Sequence, residues 1–385
     1  MKRNNSYSFL LFFVLLIPSA LLALEMVFNV YLGYNYPLLG EPFLLPKEIF
    51  KQKNYFFYGF FALIPLFHIK NIFNLKKYPL ILTIIAIHIN TLFYGFFIGD
   101  VPLQVVLRNF FGTFVLAVPL FLINTEKSKS AYWNTLLLSS HFANLFLAIA
   151  SVFNIEKLGL SYAFSRTYYN EMALFPILSF FYGFHCLVNS PQKKVLNTLL
   201  QLVVIGLAVF NLLHLNSKII FLLVILLVAL YYPIKKYHAL ISTHFSKIVI
   251  IALTPLALLS FVKDKEIRLY QLYSLVIDSM PLGNGLGSGL KNLLAFDPNF
   301  SYAFEMTMGN IIHKYGVNSF FIFFLIYLVF RSSLVEFEKR ESFLTFTCSA
   351  AILILSLSNP MLFAPLPIFL LSFFYLSTKS LKVKE

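Results

Sequence analysis

GVNSFFIFFLIYLVF, residues Gly316 to Phe330, carries no charged side chain, and its polar Asn318 and Ser319 stand near its start. About 20 apolar residues cross the hydrocarbon core of a bilayer. Backbone placed in lipid must satisfy its own hydrogen bonds, which a helix does. The window 315–330 therefore reads as a membrane span. Comparable apolar windows occur at 7–31, 54–69, 79–98, 103–124, 131–152, 169–188, 198–214, 219–234, 248–262, 343–358 and 361–377. Together they predict an all-α polytopic membrane protein of about 12 helices, with both termini on one side.

The totals agree. Of the 385 residues 59% are apolar and 12% charged, about half the charged fraction of a soluble domain. Twelve spans would use roughly 240 residues, so residues 1–385 read as one membrane-embedded domain. Lys2 and Arg3 before an apolar run resemble a signal peptide, but the run continues to Val30 and predicts an uncleaved first span. The 46 Phe and 22 Tyr are enriched together with Lys, Asn and Ile, as AT-rich coding produces. Cys186 and Cys348 lie in apolar runs, and the histidines have no ligand spacing, so neither a disulfide framework nor a metal site is indicated.

Charge orients the chain. With a cytoplasmic N-terminus, 18 of the 30 Lys and Arg fall on inner segments, in the sense of the positive-inside rule. The +14 net charge is thus a topology signal and not a nucleic-acid footprint. Outer charges gather in a few longer connections, above all residues 263–314, which predicts that any chemistry sits on the outer face.

Within that connection, EIRLYQLYSLVIDSM (Glu266 to Met280) sets Arg268, Gln271, Ser274 and Asp278 at helical spacing against an apolar side. It reads as an amphipathic interfacial helix ended by Pro281. PLGNGLGSGL follows, with Gly283, Gly285, Gly287 and Gly289. No nucleotide-binding spacing is present. Such a backbone can approach a ligand closely, form an anion-binding nest or serve as a linker. SYAFEMTMGNIIHKYG then reads as a helix leading into the span at 315–330. Glu305, Gly309 and His313 share one of its faces, with Glu305 and His313 about 12 Å apart along the axis. A carboxylate this close to the bilayer is costly unless paired or functional. Two other outer segments contribute polar groups. FSRTYYNEMAL places Arg166 and Asn170 on one face, with Tyr168 and Tyr169 at belt height, and LLHLNSKIIF is a tight turn carrying Lys218. Arg108 lies near the outer end of the fourth window. Converging on one cavity, Arg166, Lys218 and Arg268 would suit a phosphate-bearing ligand.

At these residues the chain resembles the O-antigen polymerase and ligase family of bacterial envelope glycosyltransferases, over roughly Arg166 to Phe330. The matching parts are SRTYYNEMAL, then Ser217-Lys218 opening a span, then Arg268 thirteen residues ahead of PLGNGLGSG, then Glu305 eleven before Gly316. The third part is the most specific. Lysine stands at 218 where arginine is usual, and Glu305 stands where the ligases carry histidine, which favours a polymerase over a ligase.

The resemblance implies a GT-C-like bundle in the bacterial inner membrane, with a periplasmic site on the 263–314 loop between the ninth and tenth spans. It implies an inverting, metal-independent transfer that needs no cofactor. A growing glycan on undecaprenyl pyrophosphate would be the donor and a lipid-linked repeat unit the acceptor. Membrane lipid and a chain-length regulator protein are the other partners it implies. Arg268, Arg166 and Lys218 would hold the pyrophosphate, and Glu305 would be the general base, with His313 as the alternative. Asn170, Tyr169, Arg108 and the backbone at Gly283, Gly285 and Gly287 would contact pyrophosphate or glycan. The rival readings are a ligase, and a flippase for lipid-linked oligosaccharide. A flippase calls for polar groups near mid-membrane, whereas Glu25, Arg108 and Glu171 all sit toward outer span ends.

Overall fold

The computed structural model describes residues 11–17, 20, 23, 78–98, 115–123, 126–158, 173–189, 195–214, 218–247, 273, 275, 277–285, 307–358 and 365–378. Among these there are helices and turns and no strand. In chain order the helices are α1 (Pro79–Ile98), α2 (Glu126–Leu158), α3 (Leu174–Asn189), α4 (Val195–His214), α5 (Lys218–Ala229), α6 (Tyr231–Thr243), α7 (Thr307–Tyr315), α8 (Ser319–Val335), α9 (Arg340–Ser358) and α10 (Pro365–Thr378). Residues 11–17 and 115–122 are also helical. α1 and α10 open on proline, whose missing N–H costs nothing at a first helical position.

Four stretches are long and apolar enough to cross a membrane: Pro79–Phe97, Ser128–Phe153, Val195–His214 and Ile311–Val335. A fifth results if Ile220–Ala229 and Tyr231–Thr243 form one broken span. The chain is therefore a helical protein of membrane character. The expected windows that fall on described residues are largely helical there, while 54–69 and 248–262 lie outside the described residues. The window 219–234 differs from expectation, since its helix breaks at Leu230. Pro233 has no N–H to donate to the Ala229 carbonyl and its ring crowds that carbonyl. Hydrogen bonding resumes with Ile234 N–H donating to Leu230 O at 2.9 Å.

The chain divides into two compact units, 1–67 with 125–229 and 68–124 with 230–385. In the first, α2, α3 and α4 are tied by polar contacts inside an apolar bundle. Asn211 Nδ2 donates to the Asn144 carbonyl at 2.7 Å and to Asn144 Oδ1 at 2.5 Å. His141 Nδ1 lies 3.1 Å from Ser179 Oγ, and its ring is 5.1 Å from that of Tyr182. α3 and α4 approach closely at Gly183, where an added Cβ would stand 2.8 Å from Ile205 Cγ1. Small residues and interhelical hydrogen bonds are what hold helices together in lipid, where burial alone gives little driving force. Hydroxyls with no such partner turn back on their own helix, as Ser139 does to the Thr135 carbonyl and Ser140 to the Leu136 carbonyl, each at 2.8 Å.

In the second unit α8 packs with α1, α6, α9 and α10. An aromatic cluster fills one end, with Tyr231 and Phe337 rings 5.3 and 5.5 Å from Phe343, and Phe330 5.6 Å from Phe346. Ser372 Oγ donates to the Leu116 carbonyl at 2.7 Å. His88, buried near the middle of α1, meets the Tyr315 hydroxyl at 2.7 Å. His88 also edges a cavity of about 40 Å³ whose other walls include Ile84, Ile311, Leu325 and Leu371.

Replacing Asn211 by Ala is expected to destabilise the detergent-purified protein by roughly 0.6–1.7 kcal/mol, the scale of interhelical hydrogen bonds in membranes, seen as a lower thermal unfolding midpoint. Leu199→Ala, on the exposed face of the same helix, should leave the midpoint within error.

Candidate functional site

Among the described residues, the glycine loop of the second unit is where the sequence motif and the structure meet. The helix that contains Leu275 closes with Ser279 N–H donating to the Leu275 carbonyl at 3.1 Å, and Pro281 and Leu282 form a turn. Gly283 N–H closes that turn on the Met280 carbonyl at 2.8 Å. Asn284 braces it from within. Its Nδ2 donates to the Asp278 carbonyl at 2.7 Å, and its Oδ1 accepts from Met280 N–H at 2.9 Å.

The loop then locks onto the end of α7. A helix C-terminus leaves its last carbonyls without intrahelical donors. Here Asn284 N–H donates to the His313 carbonyl at 2.8 Å and Gly285 N–H to the Lys314 carbonyl at 3.2 Å. The exchange is reciprocal, because Val317 N–H leaves the helical pattern and donates to the Pro281 carbonyl at 2.9 Å. Gly316, at φ 55°, supplies the left-handed residue that ends α7. Gly283 and Gly285 also have positive φ, 87° and 91°.

Steric room is as restrictive as φ. A Cβ at Gly285 would fall 2.5 Å from Gly95 N of α1, and one at Gly283 would fall 2.7 Å from Gly316 N. At Gly316 it would collide with the Pro281 carbonyl and Gly283 N. Three backbone segments, at 95, 281–285 and 313–317, touch without intervening side chains. The N–H groups of residues 283, 284 and 285 all go to protein carbonyls, so this half of the loop is a structural joint.

His313 is fully buried and its Nδ1 lies 3.1 Å from Ser279 Oγ, so its ring also belongs to the joint. Lys218 is the first residue of α5, and its side chain lies outside the described residues. Arg108, Arg166, Tyr169, Asn170, Arg268, Gly287 and Glu305 lie outside them entirely. Of the expected site residues, the structure brings together Gly283, Gly285 and His313.

Three neighbours escaped the sequence reading. Lys314 is almost wholly buried and next to the joint, although by sequence it is one more loop charge. His88 and Tyr315 pair across 227 positions, a separation no local pattern reveals. Among the described residues, no three His, Cys, Asp or Glu side chains group as metal ligands. Comparison with protein-family models, with characterised proteins and with solved structures finds no match to this chain.

Gly316→Ala is expected to destabilise the purified protein by about 1–3 kcal/mol from its left-handed backbone alone, with the collision in addition. Gly206→Ala is the contrast: nothing lies within 4 Å of its added Cβ, and alanine is the better helix former by about 1 kcal/mol. Thermal unfolding of the two variants should move in opposite directions.

Proposed function

We propose that the chain is a membrane glycosyltransferase that polymerises a surface polysaccharide, transferring a growing glycan from undecaprenyl pyrophosphate to a lipid-linked repeat unit. The observation that carries this reading is the Arg268 and PLGNGLGSG element. Its proline and first two glycines form a joint anchored to α1 and to the end of α7. Such a joint is a firm mount for a site on the 263–314 connection, because Gly287 follows it by two residues and Glu305 precedes α7 by two. In this proposal the protein has twelve spans, lies in the bacterial inner membrane and turns that connection to the periplasm.

The acceptor hydroxyl attacks the anomeric carbon of the donor, Glu305 takes its proton, and the bond to the pyrophosphate oxygen breaks with inversion. Arg268, Arg166 and Lys218 stabilise the charge that grows on the departing diphosphate. Arg108, Tyr169 and Asn170 line the approach. Since Gly283, Gly285 and His313 serve the joint, the proposal assigns substrate contact within the loop to Gly287. No metal or cofactor is required.

A second reading, a flippase for lipid-linked oligosaccharide, gains from one observation. Polar side chains do occur inside the apolar bundle, at His141, Asn144, Ser179 and Asn211, the kind of group that marks a path through a membrane. These groups are bonded to each other, which equally suits a packing role.

Deleting the gene and resolving the surface glycan on a gel distinguishes the readings. Loss of the long ladder with one capped unit remaining identifies a polymerase, whereas loss of all capped core identifies a ligase or a flippase. Arg268→Ala should lower turnover by about 10²–10³-fold, the scale for removing one electrostatic contact to a developing anion. Glu305→Gln should lower it by about 10²–10⁴-fold, with both variants present in the membrane at normal levels. Normal polymer length in Arg268→Ala would remove Arg268 from the mechanism.

A further inference from the structure

We propose that the α6 end of the second unit is a docking surface for the headgroup of an anionic phospholipid. The inference is independent of the polymerase reading. Residues 231–247 contain Lys235, Lys236 and Lys247, with His238 and His244, and no acidic residue. α6 is two-sided: Tyr231, Ile234 and Ser242 are buried, while Tyr232, Tyr237 and Leu240 are exposed. Lysines beside exposed tyrosine and leucine form the pattern of a helix lying in a membrane interface. The backbone bends at Tyr237, whose φ and ψ of −114° and 15° are not helical.

The fold brings a second basic segment to the same place. His238 Nδ1–H donates to the Leu334 carbonyl at 3.2 Å, capping the last turn of α8. Beyond α6, the Phe245 ring stacks on Phe330 with centroids 6.0 Å apart. Lys247 and Arg331 therefore flank one aromatic contact. The turn after α8 adds Lys339 and Arg340, but these are already paired, with Glu336 at 2.6 Å and Glu341 at 2.7 Å. Lys236, Lys247 and Arg331 remain exposed. Lys236 Nζ lies 5.3 Å from the Tyr237 ring centroid, which steadies it beside an aromatic face of interfacial type.

Charge complementarity selects the occupant. Six basic residues and three acidic ones, Glu336, Glu338 and Glu341, share this end, a balance of +3. Exposed Tyr232, Tyr237, Leu240 and Val335 would sit against acyl chains as the cations meet a phosphate. A free phosphate offers no partner for that apolar rim, whereas a lipid supplies both parts.

The test is native mass spectrometry of the full chain, delipidated in a neutral detergent and titrated with phosphatidylglycerol or with phosphatidylcholine. Phosphatidylglycerol is expected to bind roughly 100-fold more tightly than phosphatidylcholine, about fivefold for each of the three exposed cations. Each neutralised cation should weaken phosphatidylglycerol by about fivefold, so Lys236→Gln with Lys247→Gln should weaken it by roughly 25-fold. Adding Arg331→Gln should abolish the preference, with phosphatidylcholine adducts and gel-filtration profile unchanged. Equal adducts of the two lipids, an undiminished preference in the triple variant, or competition by millimolar inorganic phosphate would each overturn the proposal. Should the triple variant fail to elute as the folded protein, the double variant decides by the same criterion.

Discussion

Backbone touching backbone, with no side chain between, is the constraint on which the second unit depends. At the joint of α1, the 281–285 loop and the end of α7, Gly283, Gly285 and Gly316 lie too close to neighbouring backbone for any Cβ, Gly285 against Gly95 of α1. That closeness lets the loop's N–H groups reach the exposed carbonyls of α7 and lets Val317 reach Pro281. In a bilayer setting the arrangement has particular value, because a helix that stops near the membrane surface leaves carbonyls that lipid cannot satisfy. The loop supplies donors where water would otherwise be needed. α8 then starts from a fixed point, and its packing against α9 and α10 inherits that register.

Elsewhere the protein answers the same difficulty with side chains. Asn211 and Asn144 join α2 to α4, His141 and Ser179 join α2 to α3, and His88 and Tyr315 join α1 to the end of α7. Each couples a polar group on one helix to a polar group on another. Isolated, any of these groups would cost several kcal/mol in an apolar interior. Paired, they fix which helix lies beside which and at what height, information that interchangeable Leu, Ile and Phe side chains carry poorly.

How much of this the sequence discloses depends on range. The helices at 79–98 and 195–214 are legible because apolar content alone dictates a helix long enough to span, and the shorter one at 365–378 is legible as an apolar helix. The break at Leu230 was written in Pro233 but masked by the unbroken apolar run around it, since hydropathy registers side chains and not missing N–H groups. The glycine cluster stood out as a pattern, yet its purpose did not. A positive-φ glycine that frees an N–H for a ligand and one that frees it for a helix carbonyl have the same sequence. Gly95 and Gly316, the other halves of the contact, are single glycines nearly 190 and 33 positions from Gly283, and nothing local links them to it. The residues proposed for chemistry, Arg268 and Glu305, rest on sequence resemblance, as their segments fall outside the described residues.

The two ends of α8 show why a charge count is weaker than charge placement. Seventeen residues separate them, about 26 Å along the axis. At the joint end Lys314 is buried, while at the other end Lys236 and Lys247 are exposed beside aromatic rings. All three add equally to net charge. A buried ammonium must be held by polar groups inside the protein, so Lys314 is committed to a structural or site role. An exposed ammonium is free to meet phosphate at the membrane surface. The positive-inside expectation separates the same residues, with Lys314 on the outer connection and Lys236 and Lys247 on an inner one. The described residues place them at opposite ends of one helix.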